Sequence, residues 1–112
     1  MTTTLYGIPN CDTVKKSRAW FDEHNQPYTF HDFKKQGVPE QALSTWISAL
    51  GWEALVNKKG TTWRKLDAAT QARVNDTASA HALMLAHPSV IKRPVVSRDQ
   101  RITVGYVPQD WG

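Results

Sequence analysis

Cys11 is the single cysteine of a 112-residue chain. It lies between a polar-apolar alternating run, Thr3-Thr4-Leu5-Tyr6, and the helix-like stretch that opens with Asp12-Thr13-Val14. The free backbone N–H groups at a helix start favour sulfur as an anion, so this address suits a nucleophilic thiolate. A lone cysteine also serves as a small buried apolar side chain, and position alone leaves both readings open. With one thiol, an internal disulfide is excluded, as is a structural zinc site built from several thiolates.

Arg93-Pro94 is the second signal. It interrupts the β-branched run from Val90 to Val96, where a proline forfeits a ladder hydrogen bond. A cis peptide there would turn the preceding backbone toward a ligand, and Arg93 would then offer its guanidinium to an anion. The plainer alternative is an edge-strand proline beside a solvated arginine. The histidines His24, His31, His81 and His87 fit no metal-ligand spacing, and no glycine-rich phosphate loop is present. No metal is expected.

The elements that must position these residues can be read from periodicity. Thr3 to Tyr6 predicts a strand that breaks at Gly7-Ile8-Pro9-Asn10. A helix is expected from Asp12 to about His24, with Val14, Ala19, Trp20 and Phe21 on its apolar side, ended by Asn25-Gln26-Pro27. Tyr28 to Phe33 alternates as a second strand, parallel to the first through the intervening helix. Gly37-Val38-Pro39 opens a helix to about Leu50, and Gly51 stops it. Asn57 to Asp67 loses periodicity and is expected to be an exposed loop carrying Trp63 and Arg64. Two short helices follow, Ala68 to Val74 and Thr77 to Ala86. Strands from Val90 to Val96 and from Arg101 to Tyr106, joined at Ser97-Arg98-Asp99-Gln100, form a hairpin. The order β-α-β-α-α-α-β-β predicts an α/β protein with a mixed four-stranded sheet and helices packed on its faces.

Length and a composition of 40% hydrophobic and 21% charged residues fit one domain over residues 1–112. No apolar run approaches the roughly 18 residues of a membrane span, and the first residues lack the pattern of a signal peptide, so a cytoplasmic protein with no membrane partner is expected. The net charge of +4 is spread as short pairs such as Lys15-Lys16, Lys34-Lys35 and Lys58-Lys59. That distribution suits small anions or acidic partners and disfavours nucleic acid, which calls for a continuous basic stripe.

The motif Leu5-Tyr6-Gly7-Ile8-Pro9-Asn10-Cys11-Asp12-Thr13, the strand His87-Pro88-Ser89-Val90-Ile91-Lys92-Arg93-Pro94-Val95-Val96, and the segment from Leu55 to Lys65 together resemble the arsenate reductase-like family of the thioredoxin fold. That family also holds Spx-type regulators, and this chain resembles its YffB-type members over nearly its whole length. The resemblance implies a thioredoxin-like fold with a helical insertion. It also implies a redox-active Cys11 that attacks an oxyanion or a disulfide, Arg93 holding the anion, and Pro94 shaping the groove. Asn10 and Thr13 would contact the bound species. Lys58, Lys59, Arg64 and Lys65 would bind carboxylates of a ligand that Trp63 covers, unless the loop is simply solvated.

The departures from the family pattern narrow the chemistry. In glutathione-coupled arsenate reductases a histidine stands at the place of Gly7, a serine at Val14, an arginine at Asn57 and another near Gly105-Tyr106. Arsenate is therefore a disfavoured substrate. The Spx-type pattern has a second cysteine where Val14 stands, so a mixed disulfide on Cys11 needs an outside thiol. No bound cofactor is expected; glutathione as co-substrate, or a glutaredoxin-like reductant, would act on a small oxyanion or disulfide. The rival from another class is a non-enzymatic adaptor that binds a protein partner, as Spx-type relatives bind RNA polymerase.

Overall fold

A computed structural model describes residues 2–112. The chain divides into two compact units, one made of Met1–Gly37 with Arg93–Gly112 and the other of Val38–Lys92. The first contains a four-stranded sheet in the order β2-β1-β3-β4, from β1 (Thr3–Gly7), β2 (Thr29–Asp32), β3 (Val95–Arg98) and β4 (Arg101–Val104). β1 runs parallel to β2, with Leu5 opposite Phe30, and antiparallel to β3, with Leu5 opposite Val96. β3 and β4 form the expected hairpin. The mixed sheet is thus as the sequence predicts.

Helix α1 (Asp12–Glu23) connects β1 to β2. Its buried residues Val14, Ser17 and Phe21 recur at spacings of three and four, so one stripe faces the sheet. Ser17 is tolerated in that stripe because its hydroxyl donates to the Thr13 carbonyl at 2.7 Å. Leu5, Val14, Phe21, Val96 and Trp111 form the core cluster of this unit. The Trp111 indole meets Phe21 with 5.0 Å between ring centres, and its Nε1 donates to Thr103 Oγ1 at 2.9 Å, so its one polar atom is satisfied inside the core.

Several boundaries differ from expectation, and β4 ends at Val104 rather than at Tyr106, where the left-handed Gly105 turns the chain out of the strand. β2 ends at Asp32 rather than at Phe33, because the Asp32 carboxylate accepts the Lys34 N–H at 2.9 Å and starts the short helix α2 (Phe33–Gln36). β3 begins only at Val95, not at Val90. Pro88–Val90 is a 3-10 turn, Ile91 bridges Val56, and the Lys92 N–H donates to the Leu55 carbonyl at 2.7 Å. The β-branched run there signals burial, since Val90 and Ile91 are core residues, and not strand pairing with the sheet. The hairpin turn is also tighter, with Asp99-Gln100 between the strands and Asp99 at φ +56°.

The Val38–Lys92 unit is helical: α3 (Glu40–Leu50), α4 (Trp52–Leu55), α5 (Thr61–Arg64), α6 (Ala68–Arg73) and α7 (Thr77–Ala86). The stretch from Asn57 to Asp67 is not a free loop, because α5 forms within it and buries Trp63 at 9% exposure. Gln71 Nε2 secures that turn by donating to the Trp63 carbonyl at 2.8 Å. α7 opens with a capping box in which Asp76 accepts the Ser79 N–H at 2.8 Å and the Ser79 hydroxyl receives the Asp76 N–H at 3.1 Å. Among the described residues, no helix is long and apolar enough to cross a membrane.

This packing can be tested through stability at two places. Trp111→Ala empties the centre of the sheet unit and is expected to cost about 3–5 kcal/mol, read as a lower denaturant midpoint; an unchanged midpoint would contradict the core assignment. The Ser79 hydroxyl and backbone N–H hold the Asp76 carboxyl below its ordinary value of 3.8. A carboxyl depressed in the folded state contributes stability above the unfolded value, and that contribution is lost as pH falls through the folded one. The melting temperature of Asp76→Ala should therefore lie below wild type at neutral pH and converge with it in acid. A gap that stays constant down to pH about 2 would mean the carboxylate charge is not what caps α7.

Candidate active site

The loop leaving β1 carries Cys11 to the first position outside α1. Ile8 is buried, Pro9 and Asn10 are exposed, and Cys11 is the half-buried N-cap residue with extended backbone, φ −141° and ψ 124°. Its carbonyl accepts the Lys15 N–H at 2.9 Å, which completes the first helical turn. The side chain makes no capping hydrogen bond and packs instead against the core cluster. Cys11 is thus the residue next to the helix-start N–H groups, which have no acceptor within the helix.

The height of that helix start is set by Gly7. A Cβ there would lie 2.8 Å from Cγ2 of the fully buried Val14, closer than carbon atoms tolerate. α1 therefore descends onto the strand end, with Val14 filling the space three residues past Cys11. No sequence pattern singles out this contact except a glycine at the end of an alternating strand, which can mark close backbone approach.

Opposite the end of β1 lies the start of β3. The register pairs Tyr6 with Val95, so Arg93 and Pro94 lie at the end of the sheet from which the Cys11 loop departs. The Arg93–Pro94 peptide is cis, as the interruption of the apolar run suggested. Pro94 is buried and Arg93 half-buried. The Pro94 carbonyl accepts the Gly105 N–H at 2.8 Å, which ties the chain leaving β4 to the same place. Gly105 has φ +85°, a left-handed conformation that glycine adopts without cost from a Cβ. The next residue, Tyr106, packs on the core cluster, as Cys11 does, and Lys16 Nζ stands 4.3 Å from its ring centre.

Of the residues singled out in the sequence, Asn10, Cys11, Thr13, Arg93 and Pro94 gather at this end of the sheet. Thr13 is half-buried in the first turn of α1. Arg64 belongs to the helical unit, exposed at the end of α5. Its neighbour Trp63 is buried, so the expectation of an exposed tryptophan free to cover a ligand is not met; Lys58 Nζ lies 5.4 Å from that ring and 5.6 Å from Trp52. On the sheet face turned away from α1, Tyr6 meets His31 and Phe33 with ring centres 5.0 and 6.4 Å apart. Burial there pushes the Tyr6 phenol up, opposed by a hydrogen bond with Thr4. Among the described residues, no group of three His, Cys, Asp or Glu side chains could hold a metal.

The chain is similar throughout to known proteins. The solved structure of the YFFB protein is 48% identical and superposes with a TM-score of 0.93, covering 98% of this chain and 96% of that one. An uncharacterized protein of Haemophilus influenzae is 36% identical over 108 residues, 96% of this chain and 94% of that protein. The global transcriptional regulator Spx of Bacillus subtilis is 24% identical over 105 residues, 92% of this chain and 79% of Spx. The mixed sheet with its helical insertion is thus the thioredoxin-like fold shared with YFFB. A sequence model of the ArsC family matches residues 6–112, and with that match over the sheet, the insertion and the Cys11 and Pro94 segments, the chain belongs to the ArsC family.

Proposed function

We propose that this protein is a thiol-disulfide oxidoreductase that uses Cys11 as its single nucleophile and glutathione as co-substrate. The observation that carries the reading is the combination of a half-buried N-cap cysteine with a valine, not a second thiol, three residues later. Cys11 sulfur attacks one sulfur of a disulfide R–S–S–R′, the S–S bond breaks, R′S⁻ leaves, and a mixed disulfide forms on Cys11. An outside thiolate then attacks that mixed disulfide and releases Cys11 as the thiolate. Glutathione or a glutaredoxin-like reductant supplies the second thiol, which places the activity in a glutathione-rich cytosol. Arg93, at the same end of the sheet, supplies positive charge for an anionic substrate.

Small disulfides fit this reading better than arsenate. Gly7 admits no side chain while Val14 is present, so the floor of the site is apolar where an oxyanion needs several charge-assisted donors. Spx-like regulation is the competing reading, because a relative matching 92% of this chain carries that description. In an adaptor of that kind the lone thiol has no chemical duty.

Intact-mass measurement after incubation with oxidised glutathione tests the proposal. One glutathionyl group is expected on Cys11, absent from Cys11→Ser and removed by reduced glutathione. A thiol that stays unmodified sinks the oxidoreductase reading and favours the adaptor. Robust glutaredoxin-coupled turnover of arsenate would overturn the substrate assignment alone. Val14→Cys supplies the missing resolving thiol. In that variant the glutathionyl group should be expelled as an internal disulfide forms between Cys11 and the introduced sulfur, leaving the protein two hydrogens lighter than its reduced form. An adduct on Val14→Cys as long-lived as on wild type would show that the absent second thiol is not what makes resolution external.

A further inference from the structure

Lys16 stands five residues beyond Cys11 on α1, about 7.5 Å along the helix axis. Its ammonium lies 4.3 Å from the Tyr106 ring centre, and it has no carboxylate partner among the described residues. Asp12, one turn earlier on the same side of α1, makes no ion pair with it among them. The Tyr106 ring is itself fixed. It follows Gly105, whose N–H holds the Pro94 carbonyl at 2.8 Å, and it meets Trp111 edge-on with 5.7 Å between ring centres. Lys16 is thus a long side chain already ordered over an aromatic face, so an anion meeting it would pay less of the usual ordering entropy. Lys15, closer to Cys11 around the helix and exposed as Lys16 is, has no aromatic ring under its ammonium among the described residues.

We propose that Lys16 and Tyr106 form a carboxylate-recognising subsite that selects anionic disulfides, with oxidised glutathione as the type, over neutral disulfides. The inference rests on the reading of Cys11 as a thiol that exchanges with disulfides. Tyr106 and Cys11 pack on the same core cluster, and Pro94 and Gly105 join at the end of the sheet from which the Cys11 loop leaves. A carboxylate a few bonds from the reacting sulfur meets the Lys16 ammonium while the ring covers the lysine stem. The subsite orients the disulfide and takes no part in the exchange itself: the Cys11–S bond forms, the S–S bond of the disulfide breaks, and the departing half leaves as a thiolate.

The test compares rates of mixed-disulfide formation on Cys11 with oxidised glutathione and with bis(2-hydroxyethyl) disulfide, followed by intact mass. Lys16→Ala should lower the ratio of anionic to neutral rates about tenfold, the loss of one exposed charge-assisted contact, and Lys16→Arg should restore most of it. Tyr106→Ala should lower the ratio by a smaller factor, because the cation remains but is no longer held. The preference should shrink at high salt. Lys35→Ala removes an equal charge from α2 at the β2 edge and should leave the ratio as in wild type. A ratio unchanged in Lys16→Ala, or lowered as much in Lys35→Ala, overturns the subsite while leaving disulfide exchange at Cys11 intact. Failure of wild type to react with either disulfide overturns the exchange reading and this inference with it.

Discussion

The site depends on one steric constraint, the contact between the bare Cα of Gly7 and the Val14 side chain. Because nothing larger than hydrogen fits at Gly7, the first turn of α1 lies against the end of β1. The three intervening residues, Ile8 to Asn10, then have little freedom in where they deliver Cys11. The same contact brings Val14 into line with Leu5, Phe21 and Val96, so the helix that presents the thiol is anchored by the core that stabilises the sheet. Placement of Cys11 and stability of the unit are therefore one property, and substitutions at either Gly7 or Val14 disturb both.

A second anchoring operates across the sheet. Pro94 cannot donate to a ladder, yet its carbonyl is held by Gly105, and Gly105 needs its left-handed backbone to make that bond. Two residues unsuited to regular strands thereby close the sheet where the thiol emerges. Asn10, Asp12 and Thr13 are the polar side chains nearest to Cys11 in the chain, while its own side chain packs against the apolar core cluster.

The sheet, its strand directions and α1 are legible in the sequence because strand alternation and a three-to-four residue stripe are local patterns with distinct periods. The cis bond at Pro94 is legible because proline inside a β-branched run has few structural solutions. Val90 and Ile91 mislead because a buried apolar run carries no mark of which backbone will pair with it; here Val56 and Leu55 of the helical unit take that role. The segment around Trp63 misleads in the opposite way. Its charged residues hide a single helical turn too short to show periodicity, and the side chain that holds the Trp63 carbonyl, Gln71, lies eight residues away. The sequence marks Lys16 only as half of a charged pair with Lys15, since it is the fold that brings Tyr106, ninety positions later in the chain, beneath it.

The insertion has a kinetic consequence. β1 pairs with β3 from Thr3 opposite Arg98 to Tyr6 opposite Val95, so the central ladder of the sheet joins segments separated by nearly the whole chain. The helical unit between them closes shorter loops, such as that from Val56 to Ile91, whereas β1 and β3 must close a longer one. A helical segment that condenses early shortens the effective tether between β2 and β3 and lowers the entropy lost when they meet. Substitutions within residues 38–92 can then slow the pairing of β1 with β3, and with it the placement of Cys11, during folding.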